Sequence, residues 1–257
     1  MGLSKLYQVW EENQRAQINT DLQSTDLKEA DLNEIFNSIV AAGPYYYYVI
    51  DFYDMRISHV SDGIKDIHGI DAETVTFNDI LSFIHPEDID FVSRAEAEVL
   101  NMFNNVIGRD KLTKQKVNYC FRFKMRDNTY KLFSHQAIVL TIDEKGGFSK
   151  SFNIHTDISH LVSENNYKIS LLGLFGEPSY VDIDVYNLNS NKIVKSYSKR
   201  EIEIVRLISE GLTNIEISTF LNIAIDTVKN HRKNIFHKAG VKNVAQLIKR
   251  SVLDGII

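Results

Sequence analysis

The chain has 257 residues, 44% of them hydrophobic and 25% charged, the balance of an ordinary soluble globular protein with room for two domains. No apolar run approaches the roughly 18–20 residues that cross a bilayer. The N-terminus shows no signal-peptide core, and a single cysteine, Cys120, excludes an internal disulfide framework and a cysteine-based zinc site. These features predict a cytoplasmic protein with no membrane partner. The net charge of −5 is unevenly spread: Lys195 to Ile257 holds 11 basic and 6 acidic residues, a net of +5, which leaves −10 for the rest. Such asymmetry implies a basic module that meets polyanions beside an acidic one that does not. Chance variation between domains is the alternative.

Residues 1–41 read as a helical segment in two pieces, Leu3 to about Ile18 and then from Thr25 or Asp26 to the stop signal Gly43-Pro44. Over 42–186 the pattern changes. Tyr45 to Phe52 is rich in aromatic and β-branched residues, as strands are, and a second short strand follows near Arg56 to Val60. Helices fill Asp62 to Asn104. His85-Pro86-Glu87-Asp88 marks a helix start, because proline fits the first turn and acids suit the helix dipole. From Val117 to Met125 the odd positions are apolar, while Asn118, Arg122, Lys124 and Arg126 point the other way, the period of a half-buried strand. Turns at Asp127-Asn128 and at 143–147 make this the first strand of an antiparallel meander that returns over Tyr130 to Ile142 and ends with Phe148 to His155. A further hairpin over Lys168 to Val185 turns at Gly176. Residues 187–197, with Asn187-Leu-Asn-Ser-Asn191, form a polar linker, and 198–257 a separate all-helical domain.

In that last domain, Ser198-Lys-Arg-Glu201 is a capping box that opens a helix to about Glu210. Thr213-Asn-Ile-Glu216 opens a second helix, through Leu221. A tight turn, Asn222-Ile223-Ala224, leads to a third helix from about Ile225 to Ala239, and Asn243-Val-Ala-Gln246 caps a fourth. Four short helices with a tight turn between the second and third are helix-turn-helix organisation. On the third helix Val228, His231 and Ile235 fall on the core side. Lys229, Asn230 and Lys233 fall on the other, extended by Asp226 and His237. Lysines neutralise phosphates or meet guanine edges, and asparagine pairs with adenine. A merely solvated charged face is the other reading.

Tyr197 to Leu253 resembles the LuxR/FixJ-type (GerE-like) helix-turn-helix domain. The resemblance is carried by Ser198-Lys-Arg-Glu201, Gly211-Leu-Thr-Asn-Ile-Glu-Ile217, Thr227-Val-Lys-Asn-His231 and Lys238-Ala-Gly-Val241. It implies that Lys229, Asn230 and Lys233 reach base edges, and that Thr213, Thr227 and Arg232 hold phosphates of double-stranded DNA. It also implies a homodimer, paired through the last helix at Val244, Leu247, Ile248 and Val252. Two positions depart from the pattern. Ala224 stands where the family has a serine N-cap, a loss of about 1 kcal/mol, and Ala239 replaces a leucine. Neither touches the reading face.

Between about Tyr45 and Leu161 the order of strands, short helices and three-stranded meander resembles a PAS domain. Phe83-Ile-His-Pro-Glu-Asp88 and His155-Thr-Asp-Ile-Ser159 match that family's short motifs. The expected fold class is therefore α+β: a PAS-like antiparallel sheet with helices, then an all-α four-helix domain. An unrelated α+β sensor is the alternative. No cofactor is expected. Cys120 sits on a strand rather than the helix a flavin photosensor needs, and the helix over Glu87 to Asn104 lacks a haem-ligating histidine. His68, His85 and His135 are scattered, and His85, Glu87 and Asp88 are better explained as a helix cap than as metal ligands. Either the Tyr119, Phe121 and Phe123 side of the meander or the Cys120 side can line a small apolar pocket; plain core packing is the competing reading.

No glycine-rich phosphate loop, G-x-S-x-G or H-E-x-x-H is present, so no enzyme is expected. No receiver domain or histidine-kinase core is apparent, and the lone Trp10 does not fit an autoinducer-binding domain. A one-component transcription regulator is predicted, its PAS-like module sensing a ligand, binding a protein partner or dimerising. The acidic module is expected to be able to oppose the basic reading face. The alternative is an interaction adaptor whose helix-turn-helix no longer binds DNA.

Overall fold

The four tyrosines at 45–48 settle into a strand with one covered and one open face. In β1, Tyr45–Asp51, the side chains of Tyr46, Tyr48 and Ile50 are buried and those between them are partly open, the period of a strand packed on one side. The computed structural model describes Gln8 and residues 41–143, 147–187 and 195–257. The helical segment expected over 1–41 lies almost wholly outside these residues.

β1 pairs with the short β2, Arg56–Ser58, and on its other edge with β5, Phe148–Asp157. The meander continues through β4, Tyr130–Ile142, to β3, Gln115–Lys124. The hairpin of β6, Lys168–Gly173, and β7, Ser179–Asp184, then extends the sheet from β3. Among the described residues the sheet has eight strands in the order β2-β1-β5-β4-β3-β6-β7-β8, all neighbours antiparallel. The eighth strand, Lys195–Tyr197, occupies the end of the stretch whose composition reads as a linker. Three residues are too few to show a period, so polarity hid it.

Helices α1, Gly63–His68, α2, Phe77–Ser82, and α3, Ile89–Met102, cover the inner face, with Ile64, Ile80, Phe91 and Val99 packed against Tyr46, Phe123 and Phe133. His85 plays the capping part: its Nδ1 accepts from Glu87 N at 3.2 Å where the Pro86–Asp88 turn leads into α3. Asp88 is fully buried and its carboxylate accepts from Arg122 N at 2.7 Å and Arg122 Nη2 at 2.6 Å, tying the start of α3 to β3.

The C-terminal helices are α4, Lys199–Ser209, α5, Asn214–Leu221, α6, Ile225–Ala239, and α7, Val244–Leu253. Ile204, Ile217, Val228, Ile235 and Leu247 make their core, and Tyr197 and Leu172 from the sheet join it. The fold is thus α+β, an antiparallel sheet with helices followed by an all-α domain, and the first part has the expected order of two strands, short helices and a three-stranded meander.

One expectation changes. The alternation from Val117 predicts a strand with one solvated face, yet from Gln115 to Phe121 every residue of β3 is buried. The outer-face residues Lys116, Asn118 and Cys120 are covered by the end of α7 and the turn after it.

Candidate nucleic-acid interface and its attachment to the sheet

Three of the four helices of the C-terminal domain are started by a capping side chain of their own sequence. Ser198 Oγ accepts from Glu201 N at 3.2 Å while Glu201 Oε2 accepts from Ser198 N at 2.9 Å. Thr213 and Glu216 repeat this at 3.3 and 2.7 Å. Asn243 Oδ1 accepts from Gln246 N at 2.9 Å. These bonds, reciprocal at Ser198 and Thr213, satisfy donors that a helix start leaves orphaned. α6 begins at Ala224 with no side-chain cap, as the alanine dictates. The turn between α5 and α6 is held otherwise: Asn222 takes the left-handed conformation at φ 49°, and Ser218 Oγ donates to Ile223 O at 2.7 Å. Glu201 also accepts from Lys238 Nζ at 2.7 Å, which fastens the start of α4 to the end of α6.

This frame presents α6 with Val228 and Ile235 fully buried and His231 half-buried. Thr227, Lys229, Asn230 and Lys233 are exposed on the other side. Lys229 pairs with Asp226 at 2.9 Å, an exposed contact that a phosphate can replace. Arg232 is half-buried, and burial lowers its pKa. Thr213 is exposed at the start of α5, its hydroxyl oxygen accepting from Glu216 N and its side chain hydrogen-bonded to the Glu216 carboxylate. The structure therefore brings Thr227, Lys229, Asn230 and Lys233 onto one open helix face. The sheet does not cover that face within the protomer.

The four residues expected to pair protomers divide. Leu247 is buried in the C-terminal core, and Val252 packs with Leu253 against Cys120, Leu132, Ile158 and Val162 of the N-terminal domain. Val244 is exposed and Ile248 half-buried.

The attachment of α7 is the feature that the sequence reading missed. The last turn of a helix leaves carbonyls without partners, and here the sheet and α4 supply the donors. Asn118 Nδ2 donates to Leu253 O at 2.8 Å, Lys116 Nζ to Gly255 O at 3.0 Å and Arg206 Nε to Ile256 O at 3.2 Å. Lys116 also donates to Gln136 Oε1 at 2.9 Å. Burial, with Arg206 nearby, lowers its pKa to about 7. Arg250 closes the edge with Asp182 at 2.6 Å and Asp254 at 3.0 Å. Buried Cys120 lies in the same contact, its thiol raised to about 12 chiefly by desolvation. Buried polar outer-face residues on a strand are a signal for such a partner only once the register is known.

On the inner face, Tyr119, Phe121 and Phe123 line a cavity of about 80 Å³ under α3. The Cys120 side faces the C-terminal domain instead. His135 and His155 line the cavity, and His68 and His155 pack around Tyr46. Among the described residues no cluster of three or more His, Cys, Asp or Glu side chains has the placement to hold a metal ion, and no helix is long and apolar enough to cross a membrane.

Residues 195–251 match the family model of bacterial regulatory proteins, luxR family. Among curated proteins, the uncharacterized response regulatory protein YgeK of Escherichia coli K12 is 37% identical over 83 residues, 30% of this chain and 56% of that protein. The probable transcriptional regulatory protein SgaR of Hyphomicrobium methylovorum is 38% identical over 69 residues, 27% and 31% of the two chains. The transcriptional activator protein PhzR of Pseudomonas fluorescens is 32% identical over 79 residues, 31% of each. The matched regions thus span from about a third to just over half of these relatives' own length. Among solved structures, the N-terminal domain of a diguanylate cyclase with PAS/PAC sensor from Marinobacter aquaeolei is 17% identical, covering 45% of this chain and 96% of that one at a TM-score of 0.35. The Vibrio cholerae VqmA dimer in the absence of target DNA is 12% identical, covering 88% and 87% at a TM-score of 0.31. The C-terminal part of the chain, residues 195–251, is a helix-turn-helix domain of the luxR family of bacterial regulatory proteins.

Proposed function

We propose that the protein is a cytoplasmic, one-component transcription regulator that binds double-stranded DNA through α6 and does no chemistry of its own. The observation that carries this reading is the open face of Thr227, Lys229, Asn230 and Lys233 on a helix-turn-helix frame whose other helices are capped by Ser198, Thr213 and Asn243. Lys229, Asn230 and Lys233 take base edges, and Thr213, Thr227 and Arg232 take phosphates. Two copies bind a near-palindromic site, since two-fold proteins read two-fold sites about one helical turn apart. Val244 and Ile248 are the parts of the expected pairing helix left open to the second copy.

The test is selection of bound genomic fragments by the full chain, followed by gel shifts at several salt concentrations. Affinity falls steeply with salt, because each phosphate contact releases counterions. Lys233→Ala weakens specific binding by about 1–3 kcal/mol if the lysine reads a base. Unchanged binding in a Lys229→Ala, Lys233→Ala double variant refutes the assignment. A single protomer on an unsymmetrical footprint refutes the dimer.

A second reading concerns the N-terminal domain: it takes a small molecule in the cavity under α3 and so governs the C-terminal one. The cavity supports it, and the direct attachment of α7 to the same sheet supplies a route.

A further inference from the structure

The cavity under α3 has about 80 Å³, several times the roughly 10–15 Å³ that one water needs. Most of its wall is apolar, formed by Ile50, Val92, Val99, Phe103, Phe121 and Val139 among others. A polar corner breaks this wall. Tyr119 Oη donates to Glu96 Oε1, and the ring of His135 lies 4.7 Å from that of Tyr119.

His135 is the end of a chain. Its Nδ1 is 2.8 Å from His155 Nε2, and His155 Nδ1 is 2.7 Å from Tyr46 Oη. The two histidines stand directly opposite each other on β4 and β5. All three side chains are buried. Burial holds both rings far below the usual histidine range and holds the phenol protonated. A neutral imidazole has one N–H, so each of these two bonds carries one proton and the chain runs in one direction or the other.

The directions are not equivalent. If His155 Nδ1–H donates to Tyr46, the phenol O–H is left buried, with no other hydrogen-bond acceptor among the described residues. An orphaned buried donor is the costly arrangement. If Tyr46 donates instead, His155 carries its proton on Nε2 and gives it to His135 Nδ1. His135 then carries its own proton on Nε2, its one remaining side-chain nitrogen, and because His135 lines the cavity that donor has room for an acceptor, which the Tyr46 hydroxyl lacks.

We infer that Tyr46, His155 and His135 form a proton-ordered chain that fixes His135 as an N–H donor to the cavity, which therefore selects an uncharged, mainly apolar small molecule bearing a hydrogen-bond acceptor. The ligand half of this inference rests on the sensing reading above. Glu96 in the same corner disfavours an anion, and the apolar wall disfavours any ion.

The experiment has two arms on the full chain. Long-range proton–nitrogen NMR of ¹⁵N-histidine protein reports each tautomer, with signals assigned through His135→Gln and His155→Gln. The expected result is Nε2–H at both residues, and in Tyr46→Phe an unchanged His155 tautomer with a shifted His155 Nδ1 resonance, because that nitrogen loses its donor. An Nδ1–H form of His135 in the unaltered protein overturns the proposal, and where a glutamine variant does not fold, through-space contacts to the Tyr119 ring, 4.7 Å away, assign His135 instead. The second arm titrates benzene, pyridine and pyrrole, of similar shape and offering no acceptor, an acceptor and a donor. Pyridine is expected to bind at least tenfold more tightly than the others and to shift His135 Nε2. Tighter binding of pyrrole overturns the donor assignment. Failure of all three to bind, with the tautomers as stated, overturns the sensing reading and the ligand class and leaves the ordered chain standing.

Discussion

Gly255→Ala loosens the contact between the two domains without touching the reading face or the cavity. Gly255 follows α7 with φ at +71°, and a Cβ there would stand 2.4 Å from Asn118 Cγ and 2.7 Å from Asn118 Cβ. Asn118 is fully buried and is held by Ser134 Oγ at 2.8 Å as well as by Leu253 O. It yields only by giving up the bond to Leu253 O, which leaves a buried polar group unpaired at about 1–3 kcal/mol. The left-handed backbone adds roughly another 1–2 kcal/mol of strain, but that strain opposes the final turn whether docked or not. Only the steric part bears on docking, and it corresponds to about a 5- to 150-fold larger opening constant. Cys120, the single cysteine of the chain, lies inside this contact and reports on it. Its reaction with a thiol reagent, limited by rare opening, is expected to accelerate by that factor in the full-length variant. Gly240→Ala is the control: φ is +67° there too, yet a Cβ would meet nothing within 4 Å. Labelling in that variant is expected to stay within twofold of the unaltered protein. Equal rates in all three proteins refute the claim that the Gly255 contact holds the domains together.

The pH dependence of stability follows from burial. Lys116 has its pKa lowered to about 7 in the docked state, so the opened or unfolded chain binds more protons above pH 7. The melting temperature of the full chain is expected to rise from pH 7 to about 8.5, at no more than about 1.4 kcal/mol per unit. Lys116→Met is expected to flatten that slope in calorimetry, and a slope that persists shows another group at work. Above about pH 8.5 buried Cys120, raised to about 12, acts in the opposite sense, because only the unfolded thiol ionises there. On the acid side, burial lowers His68 to about 4 and His135 to about 3. Their contribution is complete above pH 6.5 and is lost as the pH falls through 4. His68 alone accounts for roughly 3 kcal/mol, so acid unfolding that begins only below pH 3 contradicts the burial of these rings as neutral species.

What the sequence made legible was local. Ser198 with Glu201, Thr213 with Glu216 and Asn243 with Gln246 each act within one helical turn, so the letters alone locate three helix starts. The exposed side of α6 follows from the 3.6-residue period once that helix is fixed. The same holds for His85, which caps a turn two residues away. Lys116 and Asn118 were not legible: their partners, Gly255 and Leu253, are more than 130 positions distant. A lysine and an asparagine on a strand read as solvated because solvation is their commonest state, and only a remote helix end with orphaned carbonyls makes burial favourable. The pairing of His135 with His155 was hidden for a related reason. Their alternation with apolar neighbours points both inward, but only the β4–β5 register sets them opposite each other. Residues 187–197 show the limit of composition, since Lys195–Tyr197 pairs with β7 through backbone groups that polar side chains do not announce.

Strand β3 faces both features at once. Val117, Tyr119, Phe121 and Phe123 line the cavity, and the alternate residues Lys116, Asn118 and Cys120 hold the end of α7. A strand has no slack between such neighbours: successive side chains leave one backbone at about 3.3 Å intervals on opposite faces. An occupant that displaces Tyr119 or tilts β3 therefore shifts Lys116 and Asn118 relative to the carbonyls they cap. Thermodynamic linkage makes this testable in both directions, because two sites that share a state change each other's affinity by the same factor. Pyridine at saturation is expected to change the Cys120 labelling rate of the full chain, and the opened state is expected to bind pyridine with an affinity changed by the same factor and in the matching sense. The coupling of packed neighbours on one element is expected at about 1–2 kcal/mol, roughly 5- to 30-fold. A labelling rate that pyridine leaves unaltered, in protein shown by NMR to be occupied, separates the two faces of β3 and removes the sheet as the route by which the N-terminal domain governs the helix-turn-helix.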